Sequence, residues 1–160
     1  MMQRDGDVAR VLVVDLDVHQ GNGVASVFEA DESVYTFSMH GEKNYPFKKE
    51  RSSRDVALPD GMDSWAYLDV LQRNLVEAID EARPDLVYYL AGVDPDADDG
   101  LGRLKLTRDG LAARDRYVLS TMQSKGLPVA LVLSGGYAKS DEMTADLHAE
   151  VHRAAKDVLG

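Results

Sequence analysis

Four short stretches of the chain are almost continuously apolar, and polar segments with helical periodicity separate them. The stretches are Val11–Val14, Val34–Met39, Leu86–Ala91 and Val129–Leu133. Strands covered on both faces of a parallel sheet have such a composition, whereas strands with one solvated face alternate apolar and polar residues. The pattern therefore predicts four buried, parallel strands.

Three longer segments carry apolar residues at helical spacing, and each begins with a residue type that caps helices. Asp63 or Ser64 can begin the first, which Pro84 ends, while Thr107 can begin the second and Asp141 the third. The predicted inward-facing residues, which share one face of each helix, are Leu68, Leu71, Leu75, Ile79, Leu111, Val118, Met122, Met143, Leu147, Val151 and Val158.

The remaining segments predict a short helix, a helix end and a long loop. The short helix runs from Gly23 to Ala30, and the opening MMQRDG has the pattern of a helix that ends at Gly6. Gly41–Gly61 is polar and contains prolines, which predicts a loop. Because strands alternate with helices, we expect one α/β domain over residues 1–160, with an open, mostly parallel sheet flanked by helices.

Composition narrows the classes of partner. No apolar run is long enough to span a bilayer and the N-terminus lacks the apolar core of a signal peptide, so we expect a cytoplasmic protein without a membrane partner. A net charge of −10 argues against nucleic acid as a partner. The chain has no cysteine, so any metal must be bound by oxygen atoms and imidazole nitrogens.

The first predicted strand runs into DLDVHQGNG, in which Asp15, Asp17 and His19 alternate. On an extended chain, alternate side chains point the same way. Carboxylates on a strand that helices cover need a balancing charge, which a cation provides. Asp and His are zinc ligands, and a zinc with three protein ligands keeps a position open for water or substrate. A helix N-cap with a hydrogen-bonded histidine would explain one of these residues, but not all three.

Two further polar segments, AGVDPDADDGLG and SGGYAKS, also follow predicted strands. The carboxyl ends of parallel strands meet at one edge of the sheet, where open α/β sheets bind ligands. Asp94 can therefore supply a third ligand. A calcium loop starting there is excluded, since it needs glycine at its sixth position and glutamate at its twelfth, where the chain has Asp99 and Lys105. Asp96 and Asp98 are expected to cap turns or face solvent.

Two glycines and a tyrosine follow the last predicted strand. Gly135 and Gly136 permit close approach of the backbone to a ligand, and Tyr137 brings a phenol to the same edge. A tyrosine there can donate a hydrogen bond to a developing oxyanion, or can simply pack at the end of a strand. His148 and His152 lie one turn apart on the last predicted helix and could bind a metal, but we expect them to flank its buried face in water.

Together, DLDVHQGNG, AGVD…DDGLG…LT and SGGY resemble the zinc-dependent histone deacetylase superfamily, which includes bacterial acetylpolyamine and acetoin-utilisation proteins. HQGNG, LGRLKLTRDGLAARD and SGGYAKS are most similar to its class IV branch. These motifs span essentially the whole chain in the family's order. The resemblance implies the arginase-like deacetylase fold, and an acyl-lysine protein or peptide, or an acetylated small amine, as substrate.

The resemblance also implies roles for individual residues. Asp17, His19 and Asp94 correspond to the ligands of Zn²⁺, Asp15 to a carboxylate that orients a catalytic histidine, and Tyr137 to the tyrosine that polarises the scissile carbonyl. Zinc and the histidine activate water in that mechanism. Tyr45 and Leu101 fall where the family lines its acyl-lysine tunnel, and together with Gly135 and Gly136 they are the predicted substrate-binding residues.

One feature of the family is missing from the sequence. Its members carry two adjacent histidines upstream of DLDVH, one of which acts as general base, whereas this chain has only His19, His40, His148 and His152. Family domains are roughly twice as long, so the chain resembles the C-terminal half of a deacetylase domain. We therefore expect impaired turnover by the isolated chain, and either self-association or association with an N-terminal half.

Two other functions remain open from the sequence. The chain could be a catalytically inactive fragment that binds zinc or docks a partner. VVDLDV also resembles the haloacid dehalogenase phosphohydrolases, in which Asp15 would be the nucleophile and Asp17 the acid–base, with magnesium as cofactor. That class places paired acids at the end of the third strand, whereas here they come four residues after Asp94, and it gives SGGY no role.

Overall fold

A computed structural model describes residues 2–160 of the chain, within which there are five strands and five helices. In chain order the elements are α1 (Met2–Asp5), β1 (Val11–Asp15), α2 (Asn22–Val27), β2 (Val34–Gly41), β3 (Arg54–Leu58), α3 (Ser64–Ala82), β4 (Leu86–Ala91), α4 (Arg108–Ser124), β5 (Val129–Leu133) and α5 (Asp141–Leu159). The strands are all parallel and lie in the order β3-β2-β1-β4-β5. The predicted α/β fold class and its four apolar strands are confirmed.

Side chains at the helix ends explain where the long helices begin. The Asp63 carboxylate accepts the Ala66 N–H at α3, and the Thr107 hydroxyl accepts the Gly110 N–H at α4, both as predicted. α5 begins at Asp141, as predicted, and its cap is the preceding residue, Ser140. Each cap satisfies a backbone donor that has no partner inside the helix.

Four predictions about local structure were wrong. β3 forms inside the segment predicted to be a loop, because its alternating exposed and covered residues suit an edge strand that pairs only with β2. The helix after β1 is shorter than predicted and covers Asn22–Val27. Leu68 of α3 was predicted to face inward but is only partly buried, and its neighbour Tyr67 is fully buried instead. Met143 of α5 was also predicted to face inward but is 41% exposed.

The two faces of the sheet differ in how well they are covered. On one face Leu12 and Val14 of β1 belong to the main core, which also contains apolar residues of α3, α4 and α5. On the other face Val11 and Val13 belong to a smaller cluster under α2. That face borders a cavity of about 450 Å³, and Tyr88 beside it is 38% exposed. Across residues 2–160, none of the helices has the length and apolarity needed to cross a bilayer.

Candidate metal centre

The segments that follow β1, β4 and β5 meet at the carboxyl edge of the sheet, as predicted from their position after parallel strands. There they border an open cavity of about 620 Å³. The residues that line it are Asp15, Asp17, His19, Gln20, Asn22, Tyr45, Leu101, Ser134, Gly135 and Tyr137. Every predicted site residue except Gly136 and Asp94 is in this set, and Asp94 lies directly beneath it against His19.

Asp17, His19 and Asp94 form a compact set of ligand atoms, all within 4.8 Å of one another. His19 Nδ1 lies 3.0 Å from Asp17 Oδ1 and 3.1 Å from Asp94 Oδ2. Ligands bound to a tetrahedral zinc at 2.0–2.2 Å are about 3.4 Å apart. The spacing and the donor types, two carboxylates and an imidazole, therefore fit zinc.

Hydrogen bonds orient the two carboxylates. Asp17 Oδ2 accepts the Ser134 hydroxyl at 2.6 Å and the Gly135 N–H at 2.7 Å. Asp94 Oδ1 accepts the Val18 N–H at 2.8 Å. Each carboxylate thereby turns its second oxygen towards His19 Nδ1. Such outer contacts fix the geometry of a metal site and are a large part of its affinity.

The close approach of β5 to the ligands requires a glycine. A Cβ on Gly135 would lie 2.0 Å from Asp94 Oδ2 and 2.6 Å from Asp17 Oδ2. Gly136 does not border this cavity, and its substrate contact stays a prediction. A Cβ there would instead meet Val93, and the residue lines a second cavity beside α5.

The charges of the cluster favour a bound cation. Hydrogen bonds to Asp17 and Asp94 raise the pKa of His19 to about 10, so a proton occupies Nδ1 between the two carboxylates. Burial raises the pKa of Asp94 to about 6. Burial also acts to raise the pKa of Asp17, but hydrogen bonds from His19 and Ser134 have the larger effect. They hold the pKa of Asp17 well below its usual range. The two carboxylates thus favour positive charge at the position between them.

Asp15 is not part of the ligand cluster, although the alternating sequence predicts that it points the same way as Asp17 and His19. β1 ends at Asp15, and beyond it the chain is no longer extended. Asp15 Oδ1 accepts the Asp17 N–H at 3.1 Å, which steadies the turn that carries the ligands. Burial raises the pKa of Asp15 to about 7. A carboxyl group with so high a pKa is poorly suited to act as an ionised nucleophile.

Tyr137 lies at the mouth of the cavity and is 48% exposed. Its ring centroid is 6.0 Å from that of His19, and the two rings are nearly perpendicular. Partial burial and the neighbouring charges of Asp17, Asp94 and Asp99 raise the pKa of the phenol, so it keeps its proton at neutral pH. It is therefore available as a hydrogen-bond donor beside the ligand cluster.

Asp99 is a functional residue that the sequence did not identify. Its Oδ2 accepts the Tyr137 N–H at 2.7 Å and its Oδ1 accepts the Leu101 N–H at 2.8 Å, so it ties the loop after β4 to the loop after β5. The sequence suggested turn capping for this loop, which is confirmed at Asp96, whose Oδ1 accepts the Asp98 N–H. Ser134 was also missed, because a serine after a strand has no distinctive signal.

Four predicted residues lie near or beyond the rim of the site. Tyr45 is 62% exposed and Leu101 is 55% exposed, both at the edge of the cavity. His152 is exposed on α5 as expected, and His148 is half-buried behind Gly136, where it lines a second cavity beside the buried face of the helix. Neither histidine of α5 belongs to the ligand cluster.

The fold and the site together define an α/β protein with an all-parallel sheet and a candidate metal centre, an Asp–His–Asp cluster, at the carboxyl edge of that sheet. The chain belongs to the histone deacetylase family, because the family model of the histone deacetylase domain matches residues 1–154. This membership replaces the haloacid dehalogenase interpretation.

Individual relatives agree with this assignment. An uncharacterised protein of Picosynechococcus is 48% identical over 98% of this chain and 52% of its own length. Histone deacetylase 2 of Arabidopsis thaliana is 36% identical over 83% of this chain and 35% of its own length. The chain thus spans about half the length, or less, of these relatives.

Solved structures share the fold. The histone deacetylase Clr3 superposes with a TM-score of 0.77 at 28% identity and covers 100% of this chain, which covers 28% of Clr3. An acetylpolyamine aminohydrolase from Burkholderia pseudomallei superposes with a TM-score of 0.76 at 23% identity, over 92% of this chain and 44% of its own. The deacetylase-like fold is therefore confirmed.

Proposed function

We propose that the chain is the zinc-binding part of an amide hydrolase that removes acetyl or other acyl groups from lysine side chains or from a related amine. The observation that carries the proposal is the convergence of Asp17, His19 and Asp94 within 4.8 Å at the carboxyl edge of the sheet. Relatives named as histone deacetylases and as an acetylpolyamine aminohydrolase support this class of substrate.

Metal analysis of the purified chain tests the proposed cofactor. We expect one zinc per chain, and we expect His19→Ala to abolish binding because two carboxylates alone do not close a zinc site. His148→Ala is the matched control, since His148 lies outside the ligand cluster. Zinc retained at full stoichiometry by His19→Ala would refute the proposed site.

The residues around the cluster suit amide hydrolysis. Zinc, when bound, supplies Lewis-acid chemistry that polarises a carbonyl and activates water. The protonated Tyr137 phenol at the cavity mouth can donate a hydrogen bond to the carbonyl oxygen as negative charge develops there. Tyr45 and Leu101 at the rim provide apolar surface for the methylene groups of an acyl-lysine side chain.

A general base is the one function that the described residues do not provide. Among residues 2–160, the histidines other than His19 lie away from the cavity: His40 is buried in β2 beside Ser38, and the other two lie on α5. Asp15 lines the cavity, and its Oδ2 has no hydrogen-bond donor within the described chain. We infer that Asp15 orients a histidine supplied by the portion of the domain that the relatives have and this chain does not span.

β5 and the poorly covered sheet face are where we expect that portion to dock. β5 pairs only with β4, and Val132 and Leu133 of β5 are 39% and 52% exposed. An unpaired strand edge beside apolar surface promotes association with another chain. Alone, the chain is therefore expected to self-associate in sedimentation experiments. Val132→Lys should weaken that association, whereas Val76→Lys on the opposite face is the matched control.

Complementation tests the activity itself. We expect the segment of the Picosynechococcus relative outside the matched region to raise turnover of an acetyl-lysine peptide at least about 100-fold over the chain alone, which is the usual contribution of acid–base catalysis. Stoichiometric zinc without turnover in the complemented protein would favour the alternative, an inactive zinc-binding fragment. Full turnover by the isolated chain would show that a base is present within residues 1–160.

A further inference from the structure

Arg114 of α4 is the largest fully buried side chain among the described residues, and it carries a charge. It points from the helix to the point where β1 and β4 separate. Burial alone would lower its pKa, but the Asp115 carboxylate and two neighbouring tyrosines raise it, so the guanidinium stays charged. Burying a charge is costly unless it is paired and hydrogen-bonded, so its contacts indicate what it does.

Two of those contacts are made with the segments that carry the proposed ligands. Arg114 Nη1 donates to the Gly92 carbonyl at 2.7 Å and, over a longer distance of 3.4 Å, to the Leu16 carbonyl. Leu16 directly precedes Asp17, and Gly92 lies two residues before Asp94. The last paired residues of β1 and β4 are Asp15 and Leu90, so both carbonyls lie just beyond the ladder.

The two segments have little freedom to move apart or together. A Cβ on Gly92 would lie 2.7 Å from the Cα of Asp17, so their backbones are in direct contact. Asp115 anchors the guanidinium on the helix side: Nε donates to Asp115 Oδ1 at 2.8 Å, whereas Nη2 lies 2.8 Å from the same oxygen as an ion pair but makes no hydrogen bond. Tyr89 of β4 also donates to Asp115 Oδ1.

We propose that Arg114 is a positioning residue for the metal centre: anchored on α4, its guanidinium fixes the separation of the two backbone segments that carry Asp17 and Asp94. The inference rests on the proposed function, since it assumes that these aspartates bind zinc. Because a planar guanidinium carries several donors in a fixed arrangement, it can hold Asp115 and two carbonyls at once, which a lysine ammonium at the end of a flexible stem cannot do.

The test separates metal affinity from stability by two matched variants of the full chain. Tyr89→Phe/Arg114→Met/Asp115→Leu replaces the polar cluster with apolar groups of similar size, a change that often leaves stability unaltered. We expect it to unfold near the wild-type temperature but to bind zinc about 10–100-fold more weakly, the usual effect of losing an outer contact. Asp115→Asn keeps an acceptor oxygen for Arg114 Nε, so the guanidinium stays anchored, but it removes the countercharge. We therefore expect it to lose stability while retaining zinc affinity.

The visible absorption spectrum of bound Co²⁺ gives a second readout, because it reports ligand geometry and not stability. We expect the triple variant to alter this spectrum and Asp115→Asn to preserve it. If the triple variant does not fold, Arg114→Lys tests the proposal in its place. We expect this variant to bind zinc at least about 10-fold more weakly than wild type.

Wild-type zinc affinity in the triple variant or in Arg114→Lys would overturn the role of Arg114 and leave the proposed function intact. Zinc affinity that falls in step with stability across all variants would also overturn it, since that is the behaviour of a merely structural residue. A wild-type chain that binds no zinc would overturn both proposals together.

Discussion

Gly135→Ala is the sharpest test of the proposed ligand set, because a single methyl group would meet both carboxylates. The new Cβ would lie 2.0 Å from Asp94 Oδ2 and 2.6 Å from Asp17 Oδ2, whereas real Cβ atoms essentially never approach closer than 3.0 Å. Asp94 Oδ2 must therefore move by about 1 Å, the difference between 3.0 and 2.0 Å. Asp94 is fully buried and its other oxygen is bonded to the Val18 N–H, so it cannot swing aside freely.

A displacement of this size is much larger than a metal site tolerates, since ligand distances vary by only about 0.2 Å. We expect the zinc affinity of Gly135→Ala to fall at least about 100-fold, which corresponds to about 2.7 kcal/mol. The extra methyl group should also cost about 1–3 kcal/mol of folding stability, the typical effect of overpacking. Competition with a chromophoric chelator measures the affinity, and thermal unfolding followed by circular dichroism measures the stability.

Two glycines provide matched controls. In Gly136→Ala the Cβ would meet Val93 Cγ2 at 2.5 Å and Thr144 Cγ2 at 2.9 Å, so this variant is overpacked without a clash against a ligand. In Gly23→Ala nothing lies within 4 Å of the Cβ, and the change within α2 should be neutral or mildly stabilising. Wild-type zinc affinity in Gly135→Ala, or an equal loss in Gly136→Ala, would refute the ligand assignment.

Three further predictions follow from the geometry. Zinc must displace the proton on His19 Nδ1, and the pKa of His19 is raised to about 10. Zinc affinity should therefore fall about 10-fold for each pH unit from pH 9 to pH 7. An affinity that stays constant over this range in a chelator titration would contradict the prediction. Tyr137→Phe should leave zinc affinity unchanged but lower turnover of the complemented protein by about 10²–10³-fold, and equal turnover would remove Tyr137 from the mechanism. Asp63→Ala should lower the free energy of unfolding in urea by about 1 kcal/mol. Asp69→Ala is the control and should stay near wild type, because Asp69 is not a helix cap and forms only an exposed ion pair with Arg73.

The sequence led to the residues of the candidate cluster but not to the residues that orient them. Asp17, His19 and Asp94 follow strands, and parallel strands bring their carboxyl ends together whatever the details of packing. Ser134 and Asp99 contribute through single hydrogen bonds to residues far along the chain, Ser134 to Asp17 and Asp99 to the backbone of Tyr137. Nothing in local periodicity encodes such partners.

The errors in the fold have the same origin. β3 alternates exposed and covered residues because it is an edge strand, and short alternating segments among prolines lack the apolar run that revealed the other four. Met143 is exposed because α5 packs mainly on α4, so the buried stripe of α5 begins only at Leu147. Arg114 lies inside the core because its partners are carbonyls of β-strand ends, which helical spacing alone cannot reveal.

Metal binding and turnover should be separable properties of this chain, because the residues that each of them requires lie in different parts of the domain. The proposed ligands come from the segments after β1 and β4, and Ser134 and Gly135 after β5 orient Asp17, so residues 2–160 contain hydrogen bonds that shape the cluster. Proton transfer to the departing amine needs a group that none of these contacts supplies, and an amine leaves poorly as an anion. Zinc affinity can therefore be near that of a complete domain even where turnover by the chain alone is slow. Changes that act on the ligand segments should alter affinity, whereas addition of the complementary segment should alter turnover while affinity stays nearly constant.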